Sequence, residues 1–190
     1  MNRISSLLLG FVMASCVAVG DQKVTAPVFD ITRLLNAQLD ALAARKSSLE
    51  KEAGVNQSTS STTLIPSQEF WIRELEIFRS LDAINRETVN YRAEGPLDDP
   101  QSNLLIRRYT HPDAPLASLR VYYQEDLRRV RKVEGEVRER TLLYSACRRL
   151  TLWFEEDRGQ PVLNQYEIRG FQKASLRDSV HFFVRGKVTW

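Results

Sequence analysis

Hydrophobic residues recur at helical spacing in the first half of the chain and at alternate positions in the second. Ile31, Leu34, Leu35, Leu39, Leu42 and Leu49 are separated by steps of three, four and seven, which gathers them into one stripe of a helix. This predicts a helix over 31–52, with Asp30 as N-cap and Gly54 as a stop. Residues Val55 to Thr63 are rich in Ser, Thr, Asn and Gln, so they read as a flexible loop or a short polar edge hairpin linking two helices outside the core. Pro66-Ser67 opens a second helix, with Ser67 as N-cap. Its stripe is Phe70, Trp71, Leu75, Phe78 and Leu81, and its end falls between Asp82 and Asn85.

After Pro100 the period changes to two. Leu104 to Thr110 and Leu119 to Gln124 are strand candidates, with Leu119, Val121 and Tyr123 on one face and Arg120, Tyr122 and Gln124 on the other. Arg128 to Glu134 is a poorer, highly charged strand, and Gly135 marks a turn or bulge. Arg149 to Glu155, Val162 to Gln172 and Ser179 to Trp190 alternate more clearly. Asp157-Arg158-Gly159 forms a turn between the first two.

Helices followed by strands with short connections imply an α+β domain. The expected arrangement is two N-terminal helices on one face of an antiparallel, meander-like sheet of five or six strands. The helices fall at about 30–85 and the sheet at about 103–190, both inside a single domain over 28–190. Residues 16–27 form a tether and 1–15 a signal peptide. A mean hydropathy of −0.34 argues against a multi-span membrane protein.

The signal-peptide assignment rests on Met1-Asn2-Arg3, an apolar stretch from Ile4 to Met13, and Ala14-Ser15-Cys16. One basic residue ahead of about a dozen apolar ones is a secretory pattern, too short for the roughly 20 residues of a membrane span. Small residues directly before Cys16 resemble the bacterial lipobox, with Met13 in place of the usual Leu. Cys16 is therefore the expected lipidation site, its thiol taking the diacylglycerol. The position after it is Val17 rather than Asp, which points to the outer membrane by analogy, and the next residues carry only Asp21, which favours the periplasmic face.

Lipidation of Cys16 leaves Cys147 as the single thiol. It has arginines beside it but no base, so it reads as a small half-buried residue. His111 and His181 are the only histidines. One lies in a turn and one on the polar side of a strand, and neither belongs to a metal or triad pattern. No catalytic constellation, metal site or cofactor motif is found.

The formal net charge of +3 is unevenly spread. From Cys16 to Pro100 there are 9 basic and 13 acidic residues, whereas Gln101 to Leu150 holds 11 and 6. Acids are interleaved with the arginines of that basic segment. Such mixing is the habit of a solvated sheet face, with contact to anionic headgroups or glycan phosphate as the alternative. An exported protein rarely meets nucleic acid, so that partner is set aside.

Several segments stand out together: Cys16, Leu81-Asp82-Ala83-Ile84-Asn85 before Tyr91, Leu142-Leu143-Tyr144-Ser145 leading into Leu150-Thr151-Leu152-Trp153-Phe154, and Tyr166-Glu167-Ile168-Arg169-Gly170-Phe171-Gln172-Lys173. In these the chain resembles small, uncharacterised envelope lipoproteins of the Bacteroidota type. The resemblance implies an outer-membrane or periplasmic location and an α+β fold, and it transfers no activity.

The expected role is non-enzymatic: an interaction or assembly lipoprotein, anchored in the membrane and holding an envelope protein, lipid or glycan. The alternative is a periplasmic carrier with an apolar ligand between sheet and helices. Phe70, Trp71, Phe78, Tyr166, Phe182 and Trp190 are bulky enough to fill that space, which favours the first. The expected contact surface is the wet side of the sheet, with Arg120, Tyr122, Arg149, Trp153, Arg185 and Lys187, because arginine beside exposed aromatics is typical of binding hot spots.

Overall fold

The computed structural model describes residues 28–86, 91–175 and 177–190. Cys16 and its flanking segments lie outside them. Helix α1 spans Ile31–Arg45, capped by Asp30, whose side chain accepts a hydrogen bond from the Arg33 backbone N–H. It ends at Lys46, which turns left-handed with φ 51° and donates its N–H back to Leu42 and Ala43. The helix therefore stops well before Glu52. Strand β1, Ser48–Val55, follows at once and pairs with β2, Ser58–Leu64.

Leu49 explains the difference. It stands seven residues after Leu42 and so fits the helical stripe, yet it is a fully buried strand residue beneath the same core. Gly54, expected to stop a helix, lies inside β1. The polar Ser/Thr run forms the hairpin's outer strand rather than a linker.

The second helical segment comprises α2 (Gln68–Leu75), a 3₁₀ stretch (Glu76–Asp82) and α3 (Ala83–Arg86). Ser67 caps it, its Oγ accepting from Phe70 N at 3.3 Å. Seven strands follow: β3 (Arg92–Asp98), β4 (Leu105–Thr110), β5 (Leu116–Tyr123), β6 (Val130–Arg140), β7 (Tyr144–Asp157), β8 (Gln160–Ala174) and β9 (Val180–Thr189). They run as an antiparallel meander. The β1–β2 hairpin adds to the free edge of β9, which gives one nine-stranded sheet in the order β2-β1-β9-β8-β7-β6-β5-β4-β3.

The expected fold is thus overturned. The protein is dominated by one large antiparallel sheet with short helices, not by two helices on five or six strands. Three strands account for the difference. Two come from the β1–β2 hairpin, whose first strand reads as the end of a helix and whose second strand is the polar run that reads as either a loop or an edge hairpin. The third, β3, holds Gly95-Pro96, where its pairing with β4 shifts register, a composition that reads as a turn.

Gly135 also departs from its expected role. It neither turns nor bulges the chain, because β6 runs straight through it, opposite Leu119 and Leu150. It is glycine because a Cβ there would lie 2.1 Å from Leu81 Cδ2 of the 3₁₀ stretch. The missing side chain lets the helical layer settle directly on the sheet.

The core lies on one face of the sheet. Trp71, Leu75, Phe78, Leu81 and Ile84 of the second helical segment meet Leu119, Val121, Val133, Leu150, Leu152 and Tyr166 of the strands. Buried Gln38 joins α1 to β8: its Nε2 donates to Pro161 O at 2.9 Å and its Oε1 accepts from Leu163 N at 2.7 Å. Leu163 sits where pairing with β7 shifts register, and the amide side chain satisfies the backbone there. Tyr166 donates to Glu74 Oε1 at 2.5 Å, and Lys51 Nζ approaches the same carboxylate at 2.7 Å. Of the bulky residues expected to fill this space, Trp71, Phe78 and Tyr166 are fully buried and Phe70 and Phe182 partly so. Trp190 is not among them; it is exposed, with the Arg45 guanidinium over its ring.

Candidate functional site

The other face of the sheet is covered by no helix of the described chain. Strand register arranges its side chains in rows that run across the sheet. One row crosses all nine strands: Glu94, Arg108, Arg120, Glu134, Thr151, Glu167, Arg185, Glu52 and Ser61. Ion pairs link most of its charged members. Arg108 meets Glu94 at 3.4 Å and Arg120 meets Glu134 at 3.0 Å. Arg185 bridges Glu167 at 2.6 Å and Glu52 at 3.5 Å.

Arg108 and Arg120 stand directly opposite each other on β4 and β5. Like charges so placed repel, and Glu94 and Glu134 offset this from the two sides. Burial pushes the Glu167 carboxyl up, but hydrogen bonds from Arg185 and Arg169 outweigh it and hold the group below its ordinary range.

A second row runs alongside: Ile106, Tyr122, Lys132, Trp153, Gln165, Lys187 and Glu50. Here the Lys132 ammonium lies 4.6 Å from the Tyr122 ring centroid and 5.9 Å from that of Trp153. Its Nζ also reaches Glu134 at 2.9 Å, which ties the two rows together. A third row holds Glu136, Arg149, Arg169, Phe183 and Gly54. Gly54 leaves room for the Phe183 ring, whose Cε1 would be 2.4 Å from a Cβ there, and Arg185 lies over that ring at 4.9 Å.

All six residues singled out from the sequence, Arg120, Tyr122, Arg149, Trp153, Arg185 and Lys187, project from this face. Their availability differs. Tyr122 is 9% exposed beneath Lys132, and Arg120 and Arg185 are held in ion pairs. Arg149 and Lys187 are exposed and Trp153 half-buried, so these three present the most open surface. Sequence reasoning left Lys132, Glu134 and Glu167 out of the set. Alternation along Arg128 to Glu134 places Lys132 and Glu134 on one side, but a charged strand with no apolar face gave no reason to select them. The third row continues from Glu136 through Ser118 and Thr110 to Arg92, and with that residue the three rows carry eight basic against six acidic side chains.

The histidines lie apart. His111 Nδ1 accepts from the backbone N–H groups of Asp113 and Ala114 at 3.1 and 2.9 Å, which closes the turn between β4 and β5. His181 lies on β9 beside the Phe171 ring. Cys147 stands between Arg138 and Phe171 in register. Burial first, and the Glu136 charge second, push its thiol up, so it is a poor nucleophile. Among the described residues, no three His, Cys, Asp or Glu side chains are grouped to hold a metal ion, and no helix is long and apolar enough to cross a membrane.

A large groove lies at one end of the molecule, where α1 faces the β5–β6 and β7–β8 turns. It measures about 1100 Å³, and its walls include Leu34, Ala37, Leu127, Arg129, Pro161 and Val162. It is an open surface groove outside the packed interior. In comparisons with protein-family models, curated proteins and solved structures, nothing matches this chain.

Proposed function

We propose that the protein is a membrane-anchored envelope lipoprotein of the outer membrane, facing the periplasm, with an interaction or assembly role and no catalytic one. Its partner is an envelope protein that docks on the open face of the sheet. The observation that carries this reading is the second row. A cation held between two aromatic rings, flanked by exposed Arg149 and Lys187, forms a rigid, pre-organised patch of the residue types enriched at binding hot spots. The excess of basic over acidic side chains on this face suits a partner with an acidic surface. Filling of the interior by Trp71, Phe78 and Tyr166 favours this over a carrier with its ligand between sheet and helices.

The anchor and the docking face are tested separately. Cys16→Ala should release mature protein into the soluble envelope fraction or leave the precursor uncleaved; unchanged partition and processing would refute the anchor. For the face, crosslinking in intact cells followed by mass spectrometry identifies partners of the unchanged chain. A variant combining Tyr122→Ser, Trp153→Ser and Arg149→Glu should lose them while keeping its circular dichroism spectrum. Retention of every partner by that folded variant would sink the assignment of this face.

A further inference from the structure

At the end of the sheet opposite the groove, the turn between β6 and β7 carries two adjacent leucines that touch almost nothing. Leu142 is 99% exposed and Leu143 76%. Bare apolar side chains in water are costly, and paired ones at a hairpin tip form a projection rather than a pocket.

The backbone beneath them is unusually self-contained. Thr141 N donates to Tyr144 O at 2.8 Å, and Thr141 Oγ1 accepts from the N–H groups of Leu143 and Tyr144 at 3.3 and 3.1 Å. Ser175, from the connection between β8 and β9, reaches across to the tip. Its Oγ donates toward the carbonyls of Leu142 and Leu143 at 3.1 and 3.0 Å, and its N–H donates to Leu143 O at 2.9 Å. Both leucine carbonyls are thereby turned back into the protein. Entry into an apolar medium is opposed mainly by unpaired backbone groups, and here that cost is already reduced.

Around the tip stands a collar of cations. Arg140 and Lys173 flank Ser145 in register on either side, and Arg177 follows in the adjoining turn. All three are exposed, and none forms an ion pair among the described residues. Glu139, next to Arg140, is engaged by Tyr144 and Arg148, and Asp178 follows Arg177 in the same depression as Lys173, which leaves three cations against one carboxylate. An apolar point with a net positive charge around it is complementary to a surface with negative headgroups over an apolar interior.

We propose that the Leu142–Leu143 turn inserts into the headgroup boundary of an anionic lipid bilayer, with Arg140, Lys173 and Arg177 on the headgroups. This contact is separate from any anchor at Cys16. Val28, the first described residue, lies at the groove end, while the tip lies at the far end of the 14-residue β7, about 40 Å away at roughly 3.3 Å per residue.

The test uses full-length chain mixed with vesicles of brominated phosphatidylcholine, alone or with brominated phosphatidylglycerol. Leu142→Trp reports the depth of the tip by tryptophan quenching, and Asn103→Trp, in the exposed β3–β4 turn at the other end, is the reference. On anionic vesicles the tip tryptophan should be quenched about threefold more than the reference. The excess should shrink on neutral vesicles and with added salt. Leu142→Ser/Leu143→Ser should weaken any anchor-independent vesicle binding by about tenfold or more. Equal quenching at the two positions on vesicles that still carry the chain would overturn the proposal. A tip that stays unquenched yet is needed for capture of a protein partner would overturn it in favour of a protein pocket. Failure of the Cys16 anchor reads differently, as loss of chain from neutral vesicles whatever the tip does.

Discussion

Gly186 lies beneath the ring of Tyr166, its register partner on the neighbouring strand. A Cβ at 186 would stand 2.1 Å from Tyr166 Cε1. The ring cannot yield, because Phe78 meets it edge-on at 6.0 Å and its hydroxyl is bound to Glu74. Gly186→Ala should therefore destabilise the protein by about 1–3 kcal/mol through overpacking. Gly54→Ala meets only the half-buried Phe183 ring on the open face, and should cost less. Urea denaturation of the two variants side by side checks the order; equal losses would mean that the Tyr166 ring is free to move.

Tyr166 also makes a prediction at alkaline pH. Burial, and then the Glu74 carboxylate it binds, hold its hydroxyl far above its ordinary value of 10.0. The unfolded chain releases this proton near pH 10 while the folded chain keeps it. Stability from this group is thus complete below pH 10 and falls as pH rises beyond it. Tyr109 and Tyr144 are shifted the same way and contribute to the same slope. Tyr166→Phe should reduce the loss of stability between pH 10 and 11, measured by urea midpoints. An unchanged slope would show that this proton is not retained on folding.

The acid limb depends on Glu167. Its carboxyl is held below the usual 4.5, so the unfolded chain takes up the proton first as pH falls. The stability it contributes is present above about 4.5 and is lost as pH falls through the folded value. Glu167→Gln should flatten the stability profile below pH 4.5, with a loss at neutral pH of about 1 kcal/mol or less, as for partly exposed pairs. Thermal melts across pH 3 to 7 provide the comparison; a variant profile parallel to that of the unchanged chain would remove Glu167 from the acid response.

Lys46 adopts φ 51° at the end of α1, a conformation that glycine takes without steric cost. Lys46→Gly should stabilise the protein by about 0.5–1 kcal/mol, read as a rise in melting temperature. A fall would place the end of α1 elsewhere.

How far the fold could be read from the chain divides along a physical line. Local signals carry the helix starts, because Asp30 and Ser67 bond to backbone groups only three residues away. They also carry the alternation of β5, β7, β8 and β9, and therefore the shared face of Arg120, Tyr122, Arg149, Trp153, Arg185 and Lys187. Side-chain direction follows from the period of a strand and needs no knowledge of its neighbours.

What only the tertiary structure decided depends on contacts between distant segments. Leu49 satisfies a helical stripe and a buried strand equally well, and pairing of β1 with β9 selects the strand. Gly135 reads as a breaker until Leu81 is seen to occupy its Cβ position. The cross-sheet rows are set by strand order and register. Lys132 gains its meaning only when β5 and β7 bring Tyr122 and Trp153 to either side of it, because a one-residue slip of β6 would turn Lys132 to the opposite face.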